Sequence, residues 1–319
     1  MKLYHRRETV DYFDGGNAFL FQGVGSEYQS LLHLLDEEQL ELLRKYCSIV
    51  EKELDLDLWD YLFYSKKTKY DDFFNDWIAI YTCDNIVFDT YISIGVKPKV
   101  FLGYSMGLIT AMSCGKSISF ETGLHMLLTI YEYPKDISRH EESMATIIGL
   151  NYQQVVSLIE KNNFSDTVKI ASENSKYCIV ISGNKSDIIK ILGGAEEEGA
   201  IKVVKINVPY AFHTPFAEKG IDKFIDLVER IKVDDSRIPI ISVFTQNALQ
   251  SASDLKKELV KNMPSSMNWK CSIEKMIVFG ITTFIEVSLD DSLTKISRVI
   301  NTDYKFLSYK KIVRLNSKH

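Results

Sequence analysis

The period of the apolar positions changes along the chain, and each change marks an element. Residues 18–21 form a continuous apolar run stopped by Gln22-Gly23-Val24-Gly25-Ser26, which predicts a buried strand ending in a glycine loop. Apolar residues then recur at helical spacing over residues 28–52, and again over the aromatic-rich residues 73–94. Residues 99–102 read as a second strand and residues 108–114 as a helix, with Gly103-Tyr104-Ser105-Met106-Gly107 between them. Another helix covers residues 120–131 and stops before Pro134, which cannot continue it.

The middle of the chain has a different texture. Residues 144–149, 168–171, 178–182 and 201–208 read as strands, and residues 152–161 and 186–198 as helices. Their order, β-α-β-β-α-β, is that of a ferredoxin-like unit. Downstream, helices over residues 221–231, 255–262 and 272–278 alternate with strands over residues 239–244 and 283–287, which predicts a mostly parallel sheet. The expected fold is therefore α/β. A parallel-sheet body is expected from residues 1–142 and 209–319, with a ferredoxin-like subdomain inserted over residues 143–208.

Composition narrows the classes. The chain has 319 residues, 45% hydrophobic, 12% aromatic and 25% charged, enough to bury a large core. A net charge of −5 argues against a nucleic-acid partner, which a basic face would serve. The run Ser65-Lys66-Lys67-Thr68-Lys69 reads as a solvated loop, and Asp71-Asp72 and Glu196-Glu197-Glu198 as solvated faces rather than metal sites. The cysteines, Cys47, Cys83, Cys114, Cys178 and Cys271, are odd in number and far apart; this fits reduced buried thiols rather than disulfides or zinc. The charged N-terminus lacks an apolar signal core, and the longest uncharged stretch, residues 100–115, is too short to span a membrane. The expectation is a cytoplasmic protein with no membrane and no nucleic-acid partner.

The strongest chemical signal is Gly103-Tyr104-Ser105-Met106-Gly107, a G-x-S-x-G between an apolar strand and a helix. Such a turn holds its serine in a strained conformation at a helix N-terminus, where backbone N–H groups can stabilise an oxyanion. A serine nucleophile needs a base. His125 falls in a helix, His140 in a charged loop and His319 at the end of the chain, whereas His213 lies in a turn that can aim an imidazole across a cleft. The glycine loop Gly23-Val24-Gly25 offers the Val24 N–H as a second oxyanion donor.

Together these pieces resemble the malonyl-CoA:acyl-carrier-protein transacylases and the acyltransferase domains of polyketide synthases, over residues 18–313. Phe21-Gln22-Gly23-Val24-Gly25-Ser26 stands where that family has Phe-Pro-Gly-Gln-Gly-Ser, and Gly103-Tyr104-Ser105-Met106-Gly107 where it has Gly-His-Ser-x-Gly. Ala211-Phe212-His213-Thr214 stands for Ala-Phe-His-Ser, and Asn268-Trp269 for a Gln-Trp or Asn-Trp pair. The resemblance implies an α/β-hydrolase-like body, Ser105 as the nucleophile that carries an acyl ester, and His213 as the base. It implies an oxyanion hole from the Val24 and Met106 N–H groups, and a backbone carbonyl near Asn262 orienting the histidine. Tyr104, Ile130 and Phe212 would line the acyl pocket. No bound cofactor is implied. The substrates would be an acyl-CoA or an acyl carrier protein bearing phosphopantetheine, and the protein would be a monomer.

The departures from the family pattern shape the expectation. Ile130 stands where malonyl-selective members carry the arginine that grips the free carboxylate, and no Arg or Lys occurs between Lys116 and Lys135. Tyr104 replaces a histidine, Leu108 a glutamate and Val24 a glutamine; Arg139 is a remote substitute cation. The expected acyl group has no free carboxylate, and its acceptor is a carrier-protein thiol or water. The alternatives are malonyl transfer, as in most relatives, and a non-catalytic scaffold that binds a carrier protein. An α/β-hydrolase esterase fits less well, because the one late histidine is terminal. A basic patch is expected to receive an acidic carrier protein, with Lys176, Lys185, Lys202 and Arg298 as candidates.

Overall fold

The computed structural model describes residues 16–132, 141–206, 208 and 210–316. The apolar runs become strands of two sheets. The larger contains β1 (Gly16–Phe21) and β2 (Val100–Gly103), then β7 (Ile240–Ile241), β8 (Ala248–Leu249), β9 (Ile281–Glu286) and β10 (Lys305–Leu307), in the order β10-β9-β1-β2-β7-β8. All its pairings are parallel except β7 with β8. β1 lies in the middle with every residue buried, which is why it reads as an unbroken apolar run rather than an alternating one.

The helices of the chain are α1 (Glu37–Leu54), α2 (Leu58–Tyr64), α3 (Asp72–Ser93), α4 (Gly107–Cys114), α5 (Phe120–Glu132) and α6 (Tyr152–Lys161). They continue with α7 (Lys185–Glu197), α8 (Asp222–Arg230), α9 (Ala252–Asn262), α10 (Trp269–Val278), α11 (Ser292–Ser297) and α12 (Tyr309–Asn316). Both faces of the large sheet are covered. On one, Phe19, Phe21 and Phe101 pack among aromatics of α3, with Phe21 edge-on to Phe101 at 5.0 Å between centroids. On the other, Ala18, Leu20 and Leu102 pack against Trp269 and Ile273 of α10.

The smaller sheet contains β3 (Glu142–Ile148), β4 (Val168–Ser175), β5 (Cys178–Asn184) and β6 (Lys202–Ile206), antiparallel in the order β4-β5-β3-β6. With α6 and α7 this is the expected β-α-β-β-α-β unit. Alternation along each strand splits its side chains between two faces. Ala145, Ile147, Ile179 and Ile181 pack under α6 and α7, whereas Met144 and Val180 face the core of the large sheet.

The chain departs from the sequence expectation in local ways. The helix expected over residues 28–52 is two elements: a 3₁₀ turn at Gln29–Leu34, then α1, because Asp36 caps a new start by accepting from the Gln39 N–H. The strand expected over residues 239–244 shrinks to two residues. Helices α2 and α11 and strands β8 and β10 are short elements with no clear period to announce them.

Candidate active site

The elbow is built from the backbone outward. β2 runs into Ser105 and α4 begins at Gly107, so the chain reverses within a few residues. Ser105 takes φ +54°, a left-handed conformation that costs a non-glycine residue and is kept only where the surroundings enforce it. The enforcement is main-chain packing. The Tyr104 N–H donates to the Phe21 carbonyl at 2.9 Å, tying the elbow to the end of β1. A Cβ on Gly107 would fall well inside van der Waals distance of the Phe21 and Gln22 carbonyls, and one on Gly103 would meet the backbone of Leu108.

His213 meets Ser105 from the other side. Its Nε2 lies 2.7 Å from Ser105 Oγ, within hydrogen-bond reach. The histidine also has a left-handed backbone, φ +61°, and its N–H donates to the Met263 carbonyl at 2.7 Å. Burial drives its pKa down to about 4, because a charged ring would lose its hydration there. The Asn262 backbone carbonyl pulls the other way, although Nδ1 has no partner in good hydrogen-bond geometry. The ring is therefore neutral near pH 7, with Nε2 free to accept the serine proton.

The end of α9 serves both residues. The Asn262 carbonyl lies by the imidazole, and the Asn262 side-chain Nδ2–H donates to the Ser105 carbonyl at 2.9 Å. The sequence pointed to this position for the histidine alone; the side-chain bond to the serine backbone is an addition. Pro264 follows Met263 and stops the helix there.

Ser105 and His213 share a cavity of about 60 Å³ with Val24 and Met106, the two residues expected to offer oxyanion donors. Tyr104, Ile130, Phe212 and Asn262 line it as well, so the residues named for the catalytic, oxyanion, orienting and pocket positions meet in one place. Tyr104 stands edge-on to Trp269, 5.4 Å between centroids, which places it against the Asn268-Trp269 pair. None of the described residues lining the cavity is Arg or Lys. Arg139 and His140 lie outside the described residues. Leu108 is buried in α4 and does not line the cavity.

Sequence reasoning missed a large part of the wall. Trp77 of α3 and Leu127 of α5 contribute, as do Met144 of β3, Val180 of β5, Met263 and Met267. Each looks in sequence like an ordinary core residue of its own element, and no local signal separates it from one. The other singled-out groups lie elsewhere. His125 pairs with Glu53 at 3.1 Å on the surface. Lys66 and Lys69 pair with Asp60 and Asp55, so two of the three lysines of that basic run are partnered within the chain. Asp71 caps α3 by accepting from the Phe74 N–H at 3.0 Å, and Glu198 pairs with Lys161 at 3.0 Å. The four candidate docking cations form no single cluster. The register puts Lys202 and the Lys176 turn at the Ile148 end of β3, and Lys185 beyond the Glu142 end. Cys47, Cys83, Cys114, Cys178 and Cys271 are free thiols; the first four are buried as expected, whereas Cys271 near the start of α10 is only half-buried. Among the described residues no group of His, Cys, Asp and Glu is placed to hold a metal ion, and no helix is long and apolar enough to cross a membrane.

The acyl transferase domain family matches residues 18–302. This chain belongs to that family. It is an acyltransferase by fold and by sequence. It is 24% identical over 293 residues to the malonyl CoA-acyl carrier protein transacylase of Bacillus subtilis, covering 91% of this chain and 92% of that one. To the polyketide biosynthesis malonyl CoA-acyl carrier protein transacylase PksC of the same organism it is 30% identical over 210 residues, 65% of this chain and 71% of the relative. Its fold is that of the solved malonyl CoA-acyl carrier protein transacylase of Coxiella burnetii, with a TM-score of 0.85, 24% identity, and coverage of 96% and 97% of the two chains.

Proposed function

We propose that this acyltransferase takes an acyl group from a CoA or carrier-protein thioester onto Ser105 and passes it to a carrier-protein thiol or to water. The 2.7 Å approach of Ser105 Oγ to His213 Nε2 inside a cavity with no Arg or Lys among its described lining residues carries this reading. Ser105 Oγ attacks the thioester carbonyl and its proton passes to His213 Nε2. The N–H groups of Val24 and Met106 receive the oxyanion. The C–S bond breaks, the departing sulfur takes the proton from the imidazolium, and an acyl ester remains on Ser105. A thiol or water then attacks that ester by the reverse proton path.

The wall supports an acyl group without a free carboxylate. Ile130, only 4% exposed, offers a carboxylate no partner, and leaving an ionised group unpaired there costs several kcal/mol, roughly. Malonyl transfer to an acyl carrier protein is the second reading, and kinship favours it: the relatives just described carry that activity in their names.

Intact-mass measurement of the protein after exposure to malonyl, acetyl and longer acyl thioesters, with Ser105→Ala as control, separates the two. Adducts from uncharged acyl groups alone, absent in the control, are expected. A stable malonyl adduct on Ser105 would establish the second reading instead. Adding a holo carrier protein then distinguishes transfer from hydrolysis.

A further inference from the structure

The cavity wall has an unusual composition. Four of its residues, Met106, Met144, Met263 and Met267, are methionines, out of 8 in the whole chain. All four are buried, between 2% and 6% exposed. They come from different places: the elbow, the inward face of β3, and the segment between α9 and α10. Their backbones are held. The Met267 N–H donates to the Ala171 carbonyl at 2.9 Å, its carbonyl accepts from the Glu173 N–H at 3.1 Å, and Met144 sits within a fully paired strand. What can move is the side chain. Methionine is unbranched with three rotatable bonds, whereas the neighbouring Ile130, Val180, Ile206 and Val208 are stiff at the first.

The resting cavity, about 60 Å³, has room for about two waters. That suffices for a short acyl group. A longer one needs the wall to give way. We infer that the methionine side chains make this pocket adjustable, so that the enzyme accepts uncharged acyl chains over a range of lengths rather than one fixed acyl group. The inference rests on the carboxylate-free reading of the same site and names its substrate class: uncharged acyl thioesters of differing chain length. A rigid apolar pocket discriminates by roughly 10- to 200-fold per methylene. An adjustable one flattens that dependence.

The test is the rate of Ser105 acylation, followed by intact mass, with acetyl, butyryl, hexanoyl, octanoyl and malonyl thioesters of one thiol. The native protein is expected to take the four uncharged groups with rate constants within about tenfold of one another. Met144→Ile with Met267→Ile, β-branched side chains of similar volume, is expected to lower the octanoyl-to-acetyl ratio by about tenfold or more. A native preference of about a hundredfold for one length overturns the inference while leaving the carboxylate-free reading intact. So does an unchanged ratio in a folded double variant. If circular dichroism shows the variant misfolded, the native series decides alone. A malonyl adduct with none from the uncharged groups overturns both.

Discussion

The nucleophile side of the cavity and its acyl-facing side are held by different forces. Around Ser105 and His213 the main chain does the placing. Both residues have positive φ, and hydrogen bonds from the elbow to β1, from Asn262 at the end of α9 to the elbow, and from the histidine to Met263 leave each one position. Across the cavity the wall is apolar side chains from α3, α5, β3, β5 and β6, held by packing alone. Directional bonds tolerate almost no displacement, whereas apolar contacts are interchangeable within a volume. The contrast teaches where each property of the enzyme resides. On the proposed mechanism, the reaction type is set in the backbone of the elbow, and the choice of acyl group in replaceable side chains opposite.

The comparison breaks most visibly at Gly107. Gly107→Ala pushes a methyl group into the Phe21 carbonyl, which cannot retreat because β1 lies between β2 and β9. A loss of stability on the order of 3 kcal/mol or more is expected, with acylation abolished, measured by thermal unfolding and intact mass. A near-native melting temperature would mean the elbow is far softer than its packing indicates.

The next effect is on pH dependence. In the proposed mechanism His213 must be neutral to accept the serine proton, and burial lowers its pKa to about 4. The acid limb of kcat/KM is therefore expected near pH 4. At pH 5 the enzyme should retain most of its activity, about thirtyfold more than a base of ordinary pKa 6.5 would allow. A limb at pH 6.5 would show that the imidazole is well hydrated.

The smallest effect sharpens the role of α9. Asn262→Ala removes the donor to the Ser105 carbonyl, which keeps its second bond from the Leu108 N–H. Loss of one such bond is worth about 1 kcal/mol, so kcat should fall about five- to tenfold with KM nearly unchanged. An equal fall in binding would place Asn262 against the substrate instead.

Much of this arrangement was legible from sequence, and for local reasons. The βαββαβ order followed from periods of two and of about four within single segments, and β1 from its unbroken apolar run. Ser105 and His213 were legible because a G-x-S-x-G between strand and helix leaves few geometries, and because the other histidines after Ser105 read as lying in a helix, in a charged loop or at the chain end. The broken first helix was not legible, because Asp36 reads as one more polar position until its carboxylate is seen capping Gln39. Nor was the scattering of the four docking cations, which depends on strand register.

Sequence by itself pointed to the class of chemistry, since the serine turn and the histidine turn are each written in a short contiguous segment that restricts its own backbone. It also determined that no arginine stands at the position of Ile130. Only the tertiary structure decided what forms the rest of the pocket. Trp77, Met144, Val180 and Met267 lie on four separate segments, and each is an unremarked apolar residue in its own element. They become a wall when the small sheet turns its second face toward the large one. That meeting is driven by burial of apolar surface, which is non-directional and leaves no motif in the chain.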